Sequence, residues 1–398
     1  IIYFMDIIIK LYVLKYITEE EFMKRILSLA TVFVFSALTV FATGQKPENT
    51  AVEQTRAIEK DVEIVFVLDT TGSMGGLIQG AKTKIWSIVN EVMQNHKDSK
   101  VKIGLVAYRD RGDVYVTKVT QLNENLDEIY SVLMDYKAQG GGDDPEDVRK
   151  ALHESLEIIQ WSAPRENLSQ IIFLVGDAPP HDDYNDSPDT VVTAKKAKSK
   201  GIIINTIQCG NMPSTDRYWK AIAQFGGGEY FHISGDGGVK VVTTPYDDKL
   251  YELNKRIDKT YITYGSTEVR TEAVKKFDSE KHSVDAAPVE AKASRAINKA
   301  INKYSYSKED LVQAVENKEV SLKDIKDNEL PENMQRMSLK AREGYIQSIM
   351  DTRKEIREEI IKVSKEREEY ILEQKRKGTA GKSEFDSAVS EVLKKQIK

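Results

Sequence analysis

The chain has a single cysteine, Cys209, so no intramolecular disulfide can form. The fold must be held by its core and by any metal it binds. There is no surplus of positive charge: 58 Lys and Arg stand against 63 Asp and Glu, a net charge of -5, which carries no general nucleic-acid signature. No G-x-S-x-G elbow surrounds Ser73, so a hydrolase built on Ser73, His181 and Asp177 is the weakest reading. Gly226-Gly227-Gly228 lacks the lysine and hydroxyl that complete a phosphate loop. The chain is therefore expected to be no enzyme, with neither a nucleic-acid partner nor a small-molecule substrate. What is there is 398 residues, 40% apolar and 30% charged, with room for about two or three domains.

The most informative stretch runs from Val62 to Met74. Ile64 to Leu68 is apolar on both faces, as expected of a central strand in a parallel sheet covered by helices. Asp69, Thr71 and Ser73 follow, where such sheets bind ligands, at the carboxyl ends of their strands. One carboxylate and two hydroxyls are hard oxygen donors suited to Mg²⁺ or Mn²⁺. A strand-to-helix turn with Ser73 as N-cap is the plainer alternative.

Downstream, apolar runs and helical periodicities alternate. Strands are expected at 101–108, 115–122, 171–175, 202–208 and 230–233. Helices are expected at about 75–95, 126–136, 145–160, 188–200, 214–224 and 246–261. The short charged turn Arg109 to Asp113 makes the pair around it antiparallel. The remaining alternation argues for an α/β fold with a doubly wound, mostly parallel, Rossmann-like sheet. Asp177 ends a central strand as Asp69 does, so both carboxylates should reach one crevice. Cys209, in an apolar strand, should be a buried small hydrophobe.

The spacing D-x-T-x-S at Asp69, Thr71 and Ser73 resembles the metal-ion-dependent adhesion site (MIDAS) of von Willebrand factor type A domains, whose usual form is Asp-x-Ser-x-Ser. The run Leu174 to His181 resembles that family's second aspartate segment. The likeness covers about residues 60 to 264. It implies that Thr71 and Ser73 bind the metal directly and Asp177 mainly through water. The family's third element, a threonine in a Gly-Gly-Thr loop, is missing. Gly140-Gly141-Gly142-Asp143-Asp144-Pro145-Glu146 stands there instead, so Asp143, or else Asp144, is expected to supply the oxygen. The alternative is that both aspartates only favour the next helix electrostatically. In this family an open metal position accepts a Glu or Asp from a partner, which implies adhesion and protein–protein interaction. Arg111-Gly112-Asp113 is read as a charged hairpin turn, not an integrin ligand, and His181 with Asp182 and Asp183 as a solvated loop in preference to a second cation site.

The flanks complete the expected organisation. Met23-Lys24-Arg25, the apolar run Ile26 to Ala42 and the small residues closing at Gly44 have the layout of a signal peptide. A retained membrane anchor is the rival reading. Residues 1–22 are read as an upstream extension with Met23 the initiator, and 45–61 as a linker. The type A domain is placed at 62–264, a second linker at 265–303 and a helical region at 304–398. There, Ile346, Ile349, Ile356, Ile360, Val363 and Tyr370 form a stripe interrupted by Arg353 and Arg367, either a helix docked on its own chain or a self-associating coiled coil. The expected protein is an exported, periplasmic or secreted, binding module. The alternative is a structural scaffold whose cation only stabilises the fold and whose helices mediate interaction.

Overall fold

The computed structural model describes residues 60–96, 99–238, 242–378 and 383–397. The expected extension, signal peptide and nearly all of the first linker lie outside the described residues. Among the described residues, no helix is long and apolar enough to cross a membrane.

β1 (Asp61–Asp69) is the sheet's central strand, and its alternate side chains feed two cores. It pairs in parallel with β2 (Val101–Tyr108) on one side and β4 (Leu168–Gly176) on the other. β3 (Thr117–Asn123) closes one edge antiparallel to β2. β5 (Ile202–Cys209) and β6 (Gly227–Ile233) extend the other in parallel, giving the order β3-β2-β1-β4-β5-β6. The strand order reverses at β1 and β4, so the crevice beyond their carboxyl ends is the topological switch point. Cys209 is fully buried at the end of β5.

Val62, Ile64, Phe66 and Leu68 face α1 (Gly75–Asn95) and α2 (Leu126–Asp135). Val65 and Val67 face α3 (Val148–Glu157), α4 (Thr190–Ser199) and α5 (Pro213–Gly226). α3 starts three residues later than its periodicity suggested. Asp147 caps it by accepting from the Lys150 amide, while Glu146 bridges to Pro180 instead of entering the helix. α6 (Asp247–Asp258) follows β6.

The stretch 265–303, read as a linker, folds into α7 (Thr267–Asp285) and α8 (Val289–Ile301). Its charged residues hid a polar mode of docking. Arg295 binds Asp127 of α2 through Nε and Nη2 at 2.8 and 2.6 Å and Asp258 of α6 through Nη1 at 2.9 Å, all buried. Lys299 adds a bond of 2.9 Å to Asp127. Burial alone would raise the Asp127 carboxyl, but these two cations overcome it and hold it down to about 2.

α9 (Leu311–Glu316) and the single turn α10 (Glu332–Gln335) lead to α11 (Leu339–Arg376), capped by Ser338. The stripe of α11 is used within the chain: Ile356, Ile360 and Val363 meet Leu250, Leu253 and Ile257 of α6 and Ala293 and Ala296 of α8. The two arginines that interrupt it are ion-paired. Arg353 meets Asp310 at 2.7 Å with both side chains fully buried, and Arg367 meets Asp247 at 2.7 Å. Finally α12 (Glu384–Gln396) returns to the sheet, where Phe385, Val389, Val392 and Leu393 join the core beneath α1.

Candidate metal centre

Asp69 ends β1 with its side chain wholly buried, and its Oδ1 accepts from the Thr71 amide at 2.8 Å and the Thr71 hydroxyl at 2.6 Å. Thr71 Oγ1 lies 3.3 Å from Ser73 Oγ. The three residues of the D-x-T-x-S run therefore form one connected oxygen cluster on the short turn before α1. Asp177 follows the end of β4, and the Ser73 hydroxyl lowers its carboxyl against the rise that burial imposes. Gly176 makes this convergence fit: a Cβ there would stand 2.3 Å from Tyr108 Oη and 3.2 Å from the Asp69 side chain.

The glycine loop closes over this turn. The Gly72 amide donates to the Gly140 carbonyl at 3.1 Å, and the Gln139 amide to the Thr70 carbonyl at 3.1 Å. Gly141, at φ +80°, sits against Thr71 and Glu146: its Cβ position is 3.3 Å from the Thr71 side chain and 3.2 Å from Glu146 Oε1. Asp143 stands on the glycine loop, where the sequence reading looked for the oxygen of the absent threonine. It is exposed, with Oδ2 3.9 Å from His181 Nε2. Sequence reading missed Glu146, which is buried against the loop. Its position just before a helix was the available signal, masked by treating it as the first helical turn.

Electrostatically the pocket is unbalanced. Burial, then the charge of Asp177, push the Asp69 carboxyl up to about 7. Burial, then Asp69, Asp110, Asp113 and Asp177, push Glu146 up to about 9. Burial raises Asp177 as well, against the Ser73 hydrogen bond, with Asp144 adding to the rise. Asp69 Oδ2 and Glu146 Oε2 are buried and, among the described residues, without a hydrogen-bond partner. Nearby cations are committed elsewhere. Arg109 binds the carbonyls of Thr70 and Lys137, Arg111 pairs with Asp147 and Asp186, and Arg149 with Asp182 and Asp189. Among the described residues no lysine or arginine forms an ion pair with Asp69, Glu146 or Asp177. Orphaned carboxylate oxygens beside two hydroxyls fit a hard divalent cation.

The Arg111-Gly112-Asp113 triplet is tied into these loops, with Asp113 accepting from the Gly141 amide at 3.0 Å and Arg111 stacked 3.6 Å over Tyr184. His181 is not part of a triad with Ser73. Its Nδ1 bonds Asp183 at 2.9 Å and its Nε2 faces Asp110 and Asp143.

A family model described as von Willebrand factor A domain matches residues 63–237. Among curated proteins, an ariadne-like RING finger protein of Acanthamoeba polyphaga mimivirus is 28% identical over 129 residues, 31% of this chain and 12% of that protein. The alpha-protein kinase vwkA of Dictyostelium discoideum is 27% identical over 122 residues, 30% of this chain and 19% of that protein. The chain thus spans less than a fifth of these relatives. Among solved structures, BatB from Bacteroides thetaiotaomicron is 17% identical with a TM-score of 0.32, covering 44% of this chain and 90% of that one. The SpRpn10 VWA domain is 15% identical at 0.33, covering 44% and 89%. Proximal thread matrix protein 1 of the mussel byssus is 12% identical at 0.34, covering 45% and 43%.

Proposed function

Residues 63–237 form a von Willebrand factor A domain, commonly a protein-interaction module, and on that premise we propose that this chain binds a protein partner through a divalent cation. Asp69, Thr71, Ser73 and Asp177 would hold Mg²⁺ or Mn²⁺, with Glu146 in the role the sequence suggested for Asp143. The observation that carries this reading is the group of buried carboxylates to which, among the described residues, no lysine or arginine is paired, at the switch point of the sheet. When bound, the cation supplies a Lewis-acidic position open to an acidic side chain of the partner. The chain's own residues do the rest. Thr71 is oriented by its bonds to Asp69, Ser73 stands exposed at the mouth, and the glycine loop shields the inner carboxylates. The N-terminal run of the sequence supports an exported location, periplasmic or secreted.

Two measurements test the proposal together. Calorimetric titration with Mn²⁺ should show binding to the wild type and none to Asp69→Ala. Immobilised protein incubated with an envelope extract in Mg²⁺ should then release a specific protein on chelation, and the Asp69→Ala column should release none. Equal Mn²⁺ uptake by both forms would remove the pocket from consideration. Identical chelator eluates from both columns would remove the metal-bridged contact.

A further inference from the structure

We propose that Asp110, Asp143 and His181 form a second cation site, separate from the Asp69 pocket, that takes an imidazole-preferring divalent ion such as Zn²⁺. Asp110 stands just past β2 and is buried, Asp143 comes from the glycine loop, and His181 lies four residues after Asp177. One ligand atom from each lies within 4.8 Å of the others. His181 Nε2 is 3.6 Å from Asp110 Oδ1 and 3.9 Å from Asp143 Oδ2.

The histidine's own hydrogen bond decides what faces that gap. His181 Nδ1 lies 2.9 Å from Asp183 Oδ1. An ionised carboxylate only accepts, so Nδ1 carries the hydrogen and, in a neutral ring, Nε2 presents a lone pair. That nitrogen is shut off from solvent and, among the described residues, has no hydrogen-bond partner. It points instead at two carboxylate oxygens, which are also acceptors. In the neutral ring, three electron-pair donors surround one gap, an arrangement a cation resolves.

The surroundings hold the set in place. The Tyr184 hydroxyl donates to both Asp110 oxygens at 3.0 and 3.1 Å, and its ring stacks on the imidazole at 4.0 Å and 11°. The His181 amide donates to the Glu146 carbonyl at 3.1 Å. A carboxylate bound to the non-ligating nitrogen of a histidine is the usual outer support of a histidine–metal bond. One imidazole with two carboxylates suits Zn²⁺ and its first-row neighbours, whereas Mg²⁺ prefers oxygen alone. A tetrahedron with bonds of about 2.0–2.2 Å places its ligand atoms roughly 3.3–3.6 Å apart. Asp110 already stands at that spacing, and Asp143, on an exposed loop, needs only a small closure.

The full chain, freed of metal and labelled with ¹⁵N-histidine, is titrated with Zn²⁺, beside Asp69→Ala, His181→Ala and Asp183→Asn forms. The expected result in the wild type is a His181 Nε2 resonance of unprotonated type that shifts on zinc addition while the Nδ1 hydrogen is retained. Asp69→Ala should keep that response and Asp183→Asn should bind 10- to 100-fold more weakly. A His181 ring protonated on both nitrogens and unmoved by excess Zn²⁺ would overturn the proposal in favour of a metal-free ion pair. So would a zinc affinity retained in His181→Ala but lost in Asp69→Ala. Should His181→Ala not fold, the wild-type resonances decide alone. Because the Asp69→Ala form reads the other pocket, the failure of one site is distinguishable from the failure of the other.

Discussion

Arg353 carries more of the structure than its place in an apolar stripe suggests. Its guanidinium binds Asp310 at 2.7 Å, the Thr260 hydroxyl at 2.8 Å and the Thr260 carbonyl at 2.8 Å, with no exposure. Asp310 in turn caps α9 by accepting from the Gln313 amide. Arg353→Ala strands a buried carboxylate, so urea denaturation should show a loss of about 3–5 kcal/mol. Changing Asp310 to Leu in the same chain should return part of it. A loss below about 1 kcal/mol would mean that the pair behaves as a solvated one. Ser73→Ala should do the opposite. Ser73 is exposed, so the metal-free Tm should hardly move while Mn²⁺ affinity falls at least tenfold, read by calorimetry. Asp69, Thr71 and Ser73 were legible in the sequence because two residues of spacing on one turn fix their neighbourhood. Glu146 and His181 were not, because their positions depend on how two loops cross. Arg353 and Arg367 were misleading, since a charge within an apolar stripe reads as an interruption until its partner is known.

Helix α7 shows the same difficulty at the scale of an element. It has little apolar periodicity and docks on α2 through polar contacts: Asn125 to Glu280 at 2.9 Å, Ser131 to Ser283 at 3.1 Å, and Lys276 with Glu128. Such a helix is invisible to a search for hydrophobic spacing, whereas β1, β4 and α1 declare themselves by theirs. Burial, then the charge of Asp127, push Glu280 up to about 7. The folded chain thus holds a proton that the unfolded chain releases near pH 4.3. Stability from this group is fully present below that pH and is lost as pH rises through about 7, after which it is level. Glu280→Gln keeps the acceptor for Asn125 without the charge. Denaturation at pH 8 should find it more stable than the wild type, by on the order of 2 kcal/mol, with the gap closed at pH 4. A gap that is the same at both pH values would show that folding leaves the Glu280 carboxyl where it stands in the unfolded chain.

For the whole molecule, the boundary between an α/β domain and a helical tail, so natural in the sequence, does not divide the core. The described residues form one compact unit. Phe385, Val389, Val392 and Leu393 of α12 lie in the same core as Phe66 and Trp86. Four such side chains at about 1.5–3 kcal/mol each approach the entire stability of a typical domain, about 5–15 kcal/mol. A chain ending at Gly378 should therefore bind a hydrophobic dye and unfold cooperatively only at much reduced temperature, if at all. A Tm within a few degrees of the full chain would show that the sheet is sealed without α12. The sequence conveyed the strands and their alternation with helices, since those rest on local patterns, but not the return of α12, which rests on surfaces hundreds of residues apart.

That separation sets a clock on biosynthesis. Ser390 of α12 meets Glu91 of α1 across 299 residues. At about 5–20 residues per second, a ribosome that has finished α1 needs roughly 15–60 s to deliver the helix that covers it. Until then Phe66, Leu68 and Ile85 lack the wall that Phe385 supplies in the finished chain. The emerging chain is thus a ready client for a chaperone, and a slow codon between the two helices would lengthen the exposure without altering one residue of the product.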